Sequence, residues 1–425
     1  MSNAAERPVV VERGRVVTPS GVLTDGAVVI DGARIAWVGA AADAPPAWSA
    51  AVDASPARPD RWVLPGLVDL HNHGGGGVGF PDAVTADEAR AAAREHLRHG
   101  TTSVVASLVT APAAVLLAQT AVLADLADAG EIAGIHLEGP FLSAARCGAQ
   151  NPHDMLMGDA DLVRAVADAA RGHLVTMTVA PEVAGVADGG DDVVAALVAA
   201  GALPSFGHTD GTAEQVDAGI GRGVERIGRA PGRRSGRATA THLFNGMRPW
   251  HHRDPGPVAA CLAAAARGEL VVELVADGTH LAAGTVRTVF DLVGPGAVAL
   301  VTDAMAAAGM PDGDYQLGPM AVRVVDGVAR LQVAQDGSGD DGSGGGGSIA
   351  GGTAHLLDVV RCVVGAGVDV VDAVRAAATT PAEVLGRRDL GALEAGRRAD
   401  VVVTDEGLRP VRVRRAGVEV GGAEG

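Results

Sequence analysis

His71 and His73 are separated by one residue, Glu138, His208 and His242 follow singly, and Asp303 closes the series. Each stands where an apolar, β-branched run gives way to a loop: VLPGLVDLHNH (63–73), IAGIHLEG (132–139), LPSFGHT (203–209), TATHLFN (239–245) and VALVTDA (298–304). Imidazole nitrogen and carboxylate oxygen are the donors that zinc accepts, and a catalytic zinc keeps one position open for water. Two histidines one residue apart on a strand share a face, because side chains alternate with a period of two. One histidine after a strand reads as a hydrogen-bonded core residue. A whole set at strand ends predicts one metal site at the mouth of a barrel, with ligands for one or two ions.

Asp303 is placed to take a proton from a metal-activated water and return it to a leaving amine; it is equally a candidate ligand or helix cap. His280, in ADGTH (276–280), is read as polarising a substrate carbonyl or as orienting a neighbour. All 34 basic residues are arginine. A bridge between two metals made by a carboxylated lysine is therefore impossible, and Glu138 is left to supply any protein carboxylate bridge.

The elements that must position these groups alternate. Candidate strands recur at 63–70, 102–109, 132–137, 174–179, 203–207, 239–243, 271–276 and 298–302. Ala-rich segments of helical character lie between them, among them Thr85–His99, Pro112–Ala129 and Ala282–Val293. Eight strands joined by helix-length segments predict an α/β chain with a (β/α)8 TIM-like barrel. Short strands flank it: VVVERGRVV and GAVVIDGARIAWVG before, with Asp31-Gly32 as a hairpin signal, and LGALEAGRRADVVVTDEGLRPVRVRRAGVEV (390–420) after. The expectation is a small β-sandwich domain made from both chain termini, residues 1–62 and 386–425, with the catalytic barrel at 63–385 inserted between. Residues 320–335 read as strand, helical segments follow near 353–366 and 369–378, and the run DGSGDDGSGGGG (336–347) reads as a surface loop. The Gly- and Arg-rich stretch Gly221–Arg237 is read as a solvated loop in preference to an anion site.

Composition excludes some classes. A net charge of −17 argues against nucleic-acid binding, which needs a basic face; an anionic small substrate would need a local arginine cluster. Three cysteines with no CxxC pair, and an N-terminus without a secretion signal, point to a reducing, cytoplasmic setting. Thr101–Ala124 is uncharged but is broken by Ala111-Pro112, so a buried strand and helix are expected there and no membrane span.

Further segments carry a resemblance: PGLVDLHNHG (65–74), HLEGPFL (136–142), APE (180–182), GHTD (207–210), THLFNGM (241–247), ADGTH (276–280), VTDAM (301–305) and GSIAGG (347–352). Over about residues 9–420 the chain resembles the amidohydrolase superfamily and, within it, the N-acetylglucosamine-6-phosphate deacetylase family. The resemblance implies hydrolysis of the acetamide of that sugar phosphate, with release of acetate and the amine. It implies a divalent metal, zinc in one or two ions per subunit, with Glu138, His208 and His242 as primary ligands and His71 and His73 for a second ion. Asp303 would be general base and then acid, and His280 would contact the acetamide carbonyl. Ala149, Asn245, Gly246, Asp277, Ile349, Ala350 and Gly351 would surround the sugar phosphate. Arg253, in HHRDPG (251–256), would reach the phosphate of a partner subunit in a homodimer. One departure stands in RCGAQNP (146–152): Gln150 occupies a place where the family often has histidine. Rival readings are another amide hydrolase on the same barrel, such as an N-acyl amino acid deacylase, and a catalytically silent sugar-phosphate sensor.

Overall fold

A computed structural model describes residues 9–332 and 347–421; the glycine-rich run at 336–347 lies outside these but for Gly347. Eight parallel strands pair in chain order: Leu67–Asn72, Thr101–Leu108, Gly134–Glu138, Leu174–Val179, Leu203–Phe206, Ala238–Ala240, Leu270–Leu274 and Val298–Leu300. The ring is drawn shut by backbone hydrogen bonds beyond the eighth strand: Asp303 N–H donates to His71 O (2.9 Å) and His73 N–H to Ala304 O (2.7 Å). Side chains reinforce the same seam. Asp69, fully buried, accepts from Thr302 Oγ1 at 2.6 Å and from Asn72 Nδ2 at 3.1 Å, and burial pushes its pKa up to about 6.

With so few aromatics, the core is built from Ala, Val and Leu packed between strands and helices. Helix Ala86–Arg98 buries Ala89, Ala92 and Ala93, and Thr85 caps it by accepting from Glu88 N–H. The uncharged stretch after residue 101 is the second barrel strand followed by helix Ala113–Asp128. Among the described residues no helix is long and apolar enough to cross a membrane.

Strands from both termini make one seven-stranded sheet, in the order Val418–Val420, Pro410–Arg415, Val401–Thr404, Trp62–Pro65, Val10–Thr18, Gly21–Asp31 and Arg34–Ala40. The run 63–70, expected as one strand, is two: Trp62–Pro65 joins this sheet and Leu67–Asn72 the barrel. Gly66 makes the transition, because a Cβ there would lie 2.2 Å from Thr102 Oγ1 and 2.7 Å from Asp400 Cβ. A three-stranded antiparallel sheet, Gly313–Leu317, Met320–Val325 and Val328–Leu331, sits over the barrel's C-terminal end.

The stretch Gly221–Arg237 departs from expectation. Residues up to 229 complete helix Ala213–Arg229, and only those beyond it form a loop. Glycine lowers helix propensity, yet here it permits close packing: a Cβ on Gly219 would stand 2.6 Å from Pro181 Cβ.

Candidate metal centre and active site

Two triads of ligand-type side chains converge at the C-terminal mouth of the barrel: His71, His73 and Asp303, and Glu138, His208 and His242. Within each triad the ligand atoms all lie within 4.8 Å of one another. His71 lies near the end of the first strand, His73 follows it directly, and Glu138 ends the third. His208, His242 and Asp303 follow the fifth, sixth and eighth strands with left-handed φ values of +46°, +27° and +48°. Such a conformation costs of order 1–3 kcal/mol per residue and persists where surrounding structure over-determines it. Here it turns the three side chains inward immediately after their strands.

Glu138 joins the triads. Its Oε1 lies 2.8 Å from both His208 Nε2 and His242 Nε2, and its Oε2 lies 3.1 Å from His73 Nε2. Asp303 Oδ1 stands 3.3 Å from the Nε2 of His71 and of His73. Three of the four outer ring nitrogens are engaged elsewhere, and His242 Nδ1 is buried without a partner. His208 Nδ1 donates to Arg146 O (2.7 Å), His73 Nδ1 to Ser107 O (3.2 Å), and His71 Nδ1 to Glu273 Oε2 (3.3 Å). A proton on Nδ1 leaves the lone pair on Nε2 facing inward. The Nε2 atoms of His71 and His73 are then 2.9 Å apart, and those of His208 and His242 are 3.1 Å apart. Lone pairs facing each other at such distances repel unless a cation lies between them, so this donor set fits one or two divalent ions.

Electrostatics shift both carboxyl groups of the triads the same way. Burial acts to raise the pKa of Asp303, but His71 and His73 beside it outweigh burial and hold the carboxyl well below its ordinary range. Glu138 behaves the same way under its four histidines. His280 Nδ1 donates to Asp277 Oδ2 at 2.8 Å. Burial works to lower the His280 pKa, yet Asp277 overrides it and the net shift is upward. Asp277 thus stabilises the protonated ring, and Nε2 is left to face the cavity.

The cavity above these groups has a volume of about 580 Å³, within the range of small-molecule sites. Of the expected residues, His73, Glu138, His208, His242, His280 and Asp303 line it, as do Ala149, Asn245, Gly246, Ile349 and Gly351. His71 lies buried below it. Asp277 reaches the cavity through His280. Ala350 does not line it: its side chain is fully buried in the apolar cluster under the three-stranded sheet. Arg253 sits exposed on the loop 251–254, outside the cavity of its own chain.

Other supporting residues were not singled out from the sequence. Glu273 accepts from His71 Nδ1 and also from His242 N–H (3.3 Å), so one buried carboxylate sets two of the ligands. His136 shares a strand face with Glu138 and bonds Ser107 Oγ (2.9 Å) and Thr178 Oγ1 (2.8 Å). The signals were available: a carboxylate inside the apolar run VVEL, and a second histidine two residues before Glu138.

Comparison with known proteins agrees with this arrangement. Residues 62–419 match the model of the amidohydrolase family. N-acetylglucosamine-6-phosphate deacetylase of Lysinibacillus sphaericus is 30% identical over 370 residues, covering 84% of this chain and 85% of that protein. The Vibrio furnissii enzyme of the same name is 33% identical over 346 residues, covering 80% and 78%. Among solved structures, a mutant of N-acetyl-D-glucosamine-6-phosphate deacetylase from Mycobacterium smegmatis, in complex with N-acetyl-D-glucosamine-6-phosphate, is 39% identical. It superposes with a TM-score of 0.83 over 97% of this chain and 99% of that one. With the barrel and its convergent triads, these likenesses show that the chain belongs to the amidohydrolase family, in the branch of the N-acetylglucosamine-6-phosphate deacetylases.

Proposed function

We propose that this chain hydrolyses the acetamide of N-acetyl-D-glucosamine 6-phosphate to acetate and D-glucosamine 6-phosphate, in amino-sugar recycling in the cytoplasm. The observation that carries the reading is the pair of triads joined by Glu138 on the floor of a cavity that His280 and Asn245 also line. A divalent cation held there, zinc by the donor types and one or two per subunit, supplies positive charge that acidifies water and polarises a carbonyl.

The chain's own residues do the remainder. Asp303 takes a proton from the attacking water and passes it to the amide nitrogen, which leaves as the amine. His280 donates from Nε2 to the acetamide oxygen as negative charge builds there, and Asp277 fixes the ring that does so. Asn245 and Gly246 hold the phosphate at the rim, with Ala149, Ile349 and Gly351 against the sugar. Arg253 completes the phosphate site of a partner in a homodimer; its exposure on a loop outside its own cavity supports that role.

The test is acetate release from a panel of free and 6-phosphorylated N-acetyl sugars, with elemental analysis of the purified protein. Turnover should favour the phosphorylated sugar by about 100-fold or more in kcat/KM, and Arg253→Ala should erase most of that preference. No acetate from fully metal-loaded protein would sink the reading.

A further inference from the structure

At the opposite end of the barrel, the loop that follows helix Ala213–Arg229 meets the segment after helix Thr380–Val384 around a cavity of about 730 Å³. Six arginines line it, Arg233, Arg234, Arg237, Arg387, Arg388 and Arg397, with Glu383 as the single carboxylate. In a chain of net charge −17 such a wall is a positive island. We infer that this cavity binds a small molecule carrying two phosphoryl groups.

Local pairing leaves part of the positive charge free. Arg237 pairs with Glu383 (3.0 Å), Arg387 with Asp389 (2.8 Å), and Arg397 with Glu394. Arg233, Arg234 and Arg388 have no carboxylate within ion-pair distance among the described residues. Three uncompensated guanidinium groups match the charge of two phosphoryl groups, and their planar forks match phosphoryl oxygens.

The wall is also built. Arg234 is held by Leu385 O (3.4 Å) and Leu174 O (3.3 Å), the latter at the start of the fourth barrel strand. Its Nε is buried and has no acceptor. Gly386 presses so closely on this loop that a Cβ there would stand 2.5 Å from Arg234 O. Arg233 and Arg234 also border a neighbouring cleft of about 330 Å³, walled by Val198, Ala199 and Leu203 among others. Phosphoryl groups in the arginine cavity would place a ligand's apolar ring face against that cleft. The arginine cavity is a half-open cleft whose volume admits a small molecule.

Calorimetric titration of the metal-loaded protein with fructose 1,6-bisphosphate in about 0.15 M salt tests the assignment. Wild type should bind one equivalent per chain. R233A/R388A alters two exposed side chains and should weaken binding by about ten-fold or more, whereas N245A/R253A, at the other end of the barrel, should change it by less than about two-fold. Absence of saturable binding to wild type, or loss of binding only in N245A/R253A, would overturn the inference.

Discussion

The Gln150 side-chain amide donates to Glu138 Oε2 at 2.6 Å, while its carbonyl oxygen accepts from Thr110 N–H at 2.8 Å. Gln150 is thus a clamp on the carboxylate that joins the two triads. Groups that orient a metal ligand typically govern affinity by 10- to 100-fold.

Gln150→Ala should therefore weaken metal binding by about 10- to 100-fold with the fold intact. Competition with a graded chelator, followed by elemental analysis, measures this. Unchanged affinity would show that Glu138 is held without Gln150.

His208 is fixed by glycine on one side. Gly246 has φ +59°, and a Cβ on it would lie 2.8 Å from His208 Nδ1, the atom that donates to Arg146 O. Gly246→Ala should push the ring away and add backbone strain of about 1–3 kcal/mol. The expected result is lower metal occupancy together with a lower melting temperature. A variant that keeps full occupancy would show that the ring can tilt without losing its ligand atom.

Much of this site was legible because its ligands end β-branched runs, where a strand pattern makes a polar residue conspicuous. His71-x-His73 needed only the two-residue period of a strand. Glu273 and Gln150 were harder: one is buried mid-strand, and the other acts from a loop whose path no periodicity reveals. Helix Ala213–Arg229 was hidden by Gly219, Gly221, Gly223 and Gly228, which depress helix propensity; of these, Gly219 and Gly223 lie close against Pro181 and Pro204, while Gly221 and Gly228 face open space. The arginine cavity joins Arg234 to Gly386, residues distant in sequence, and non-local contact of that kind leaves no local pattern.

A separate buried pair sets part of the pH response. Glu95 Oε1 accepts from His355 Nε2 at 3.0 Å, and this contact holds the Glu95 pKa down to about 2 against burial, helped by Arg98. Burial works to lower the His355 pKa, but Asp358 and Glu95 raise it above its ordinary value. A depressed carboxyl stabilises above its unfolded pKa near 4.5 and loses that effect as pH falls toward 2. A raised imidazole stabilises below its unfolded pKa near 6.5 and loses the effect as pH rises through the folded value. The stability difference between wild type and Glu95→Gln should thus peak between about pH 4.5 and 6.5 and shrink on both sides. Urea unfolding at a series of pH values measures it; a difference independent of pH would mean the pair acts through packing alone.

Asp303 is the group whose removal separates binding from chemistry. Glu138, His208 and His242 form a triad without it, so a cation remains held when its charge is lost. Asparagine keeps the size of the side chain but cannot accept a proton from water and return it to nitrogen. Asp303→Asn should therefore retain metal in the Glu138 triad while turnover falls about 10²- to 10⁴-fold, the usual worth of a positioned acid–base group. The second triad loses one of its three members, so a chain that loads two ions should drop toward one, while a chain that loads one should not change. Elemental analysis and acetate release on the same sample separate these effects. Turnover close to wild type at full metal loading would move the proton-transfer role to another group at the cavity floor, with His280, held by Asp277, the next to examine.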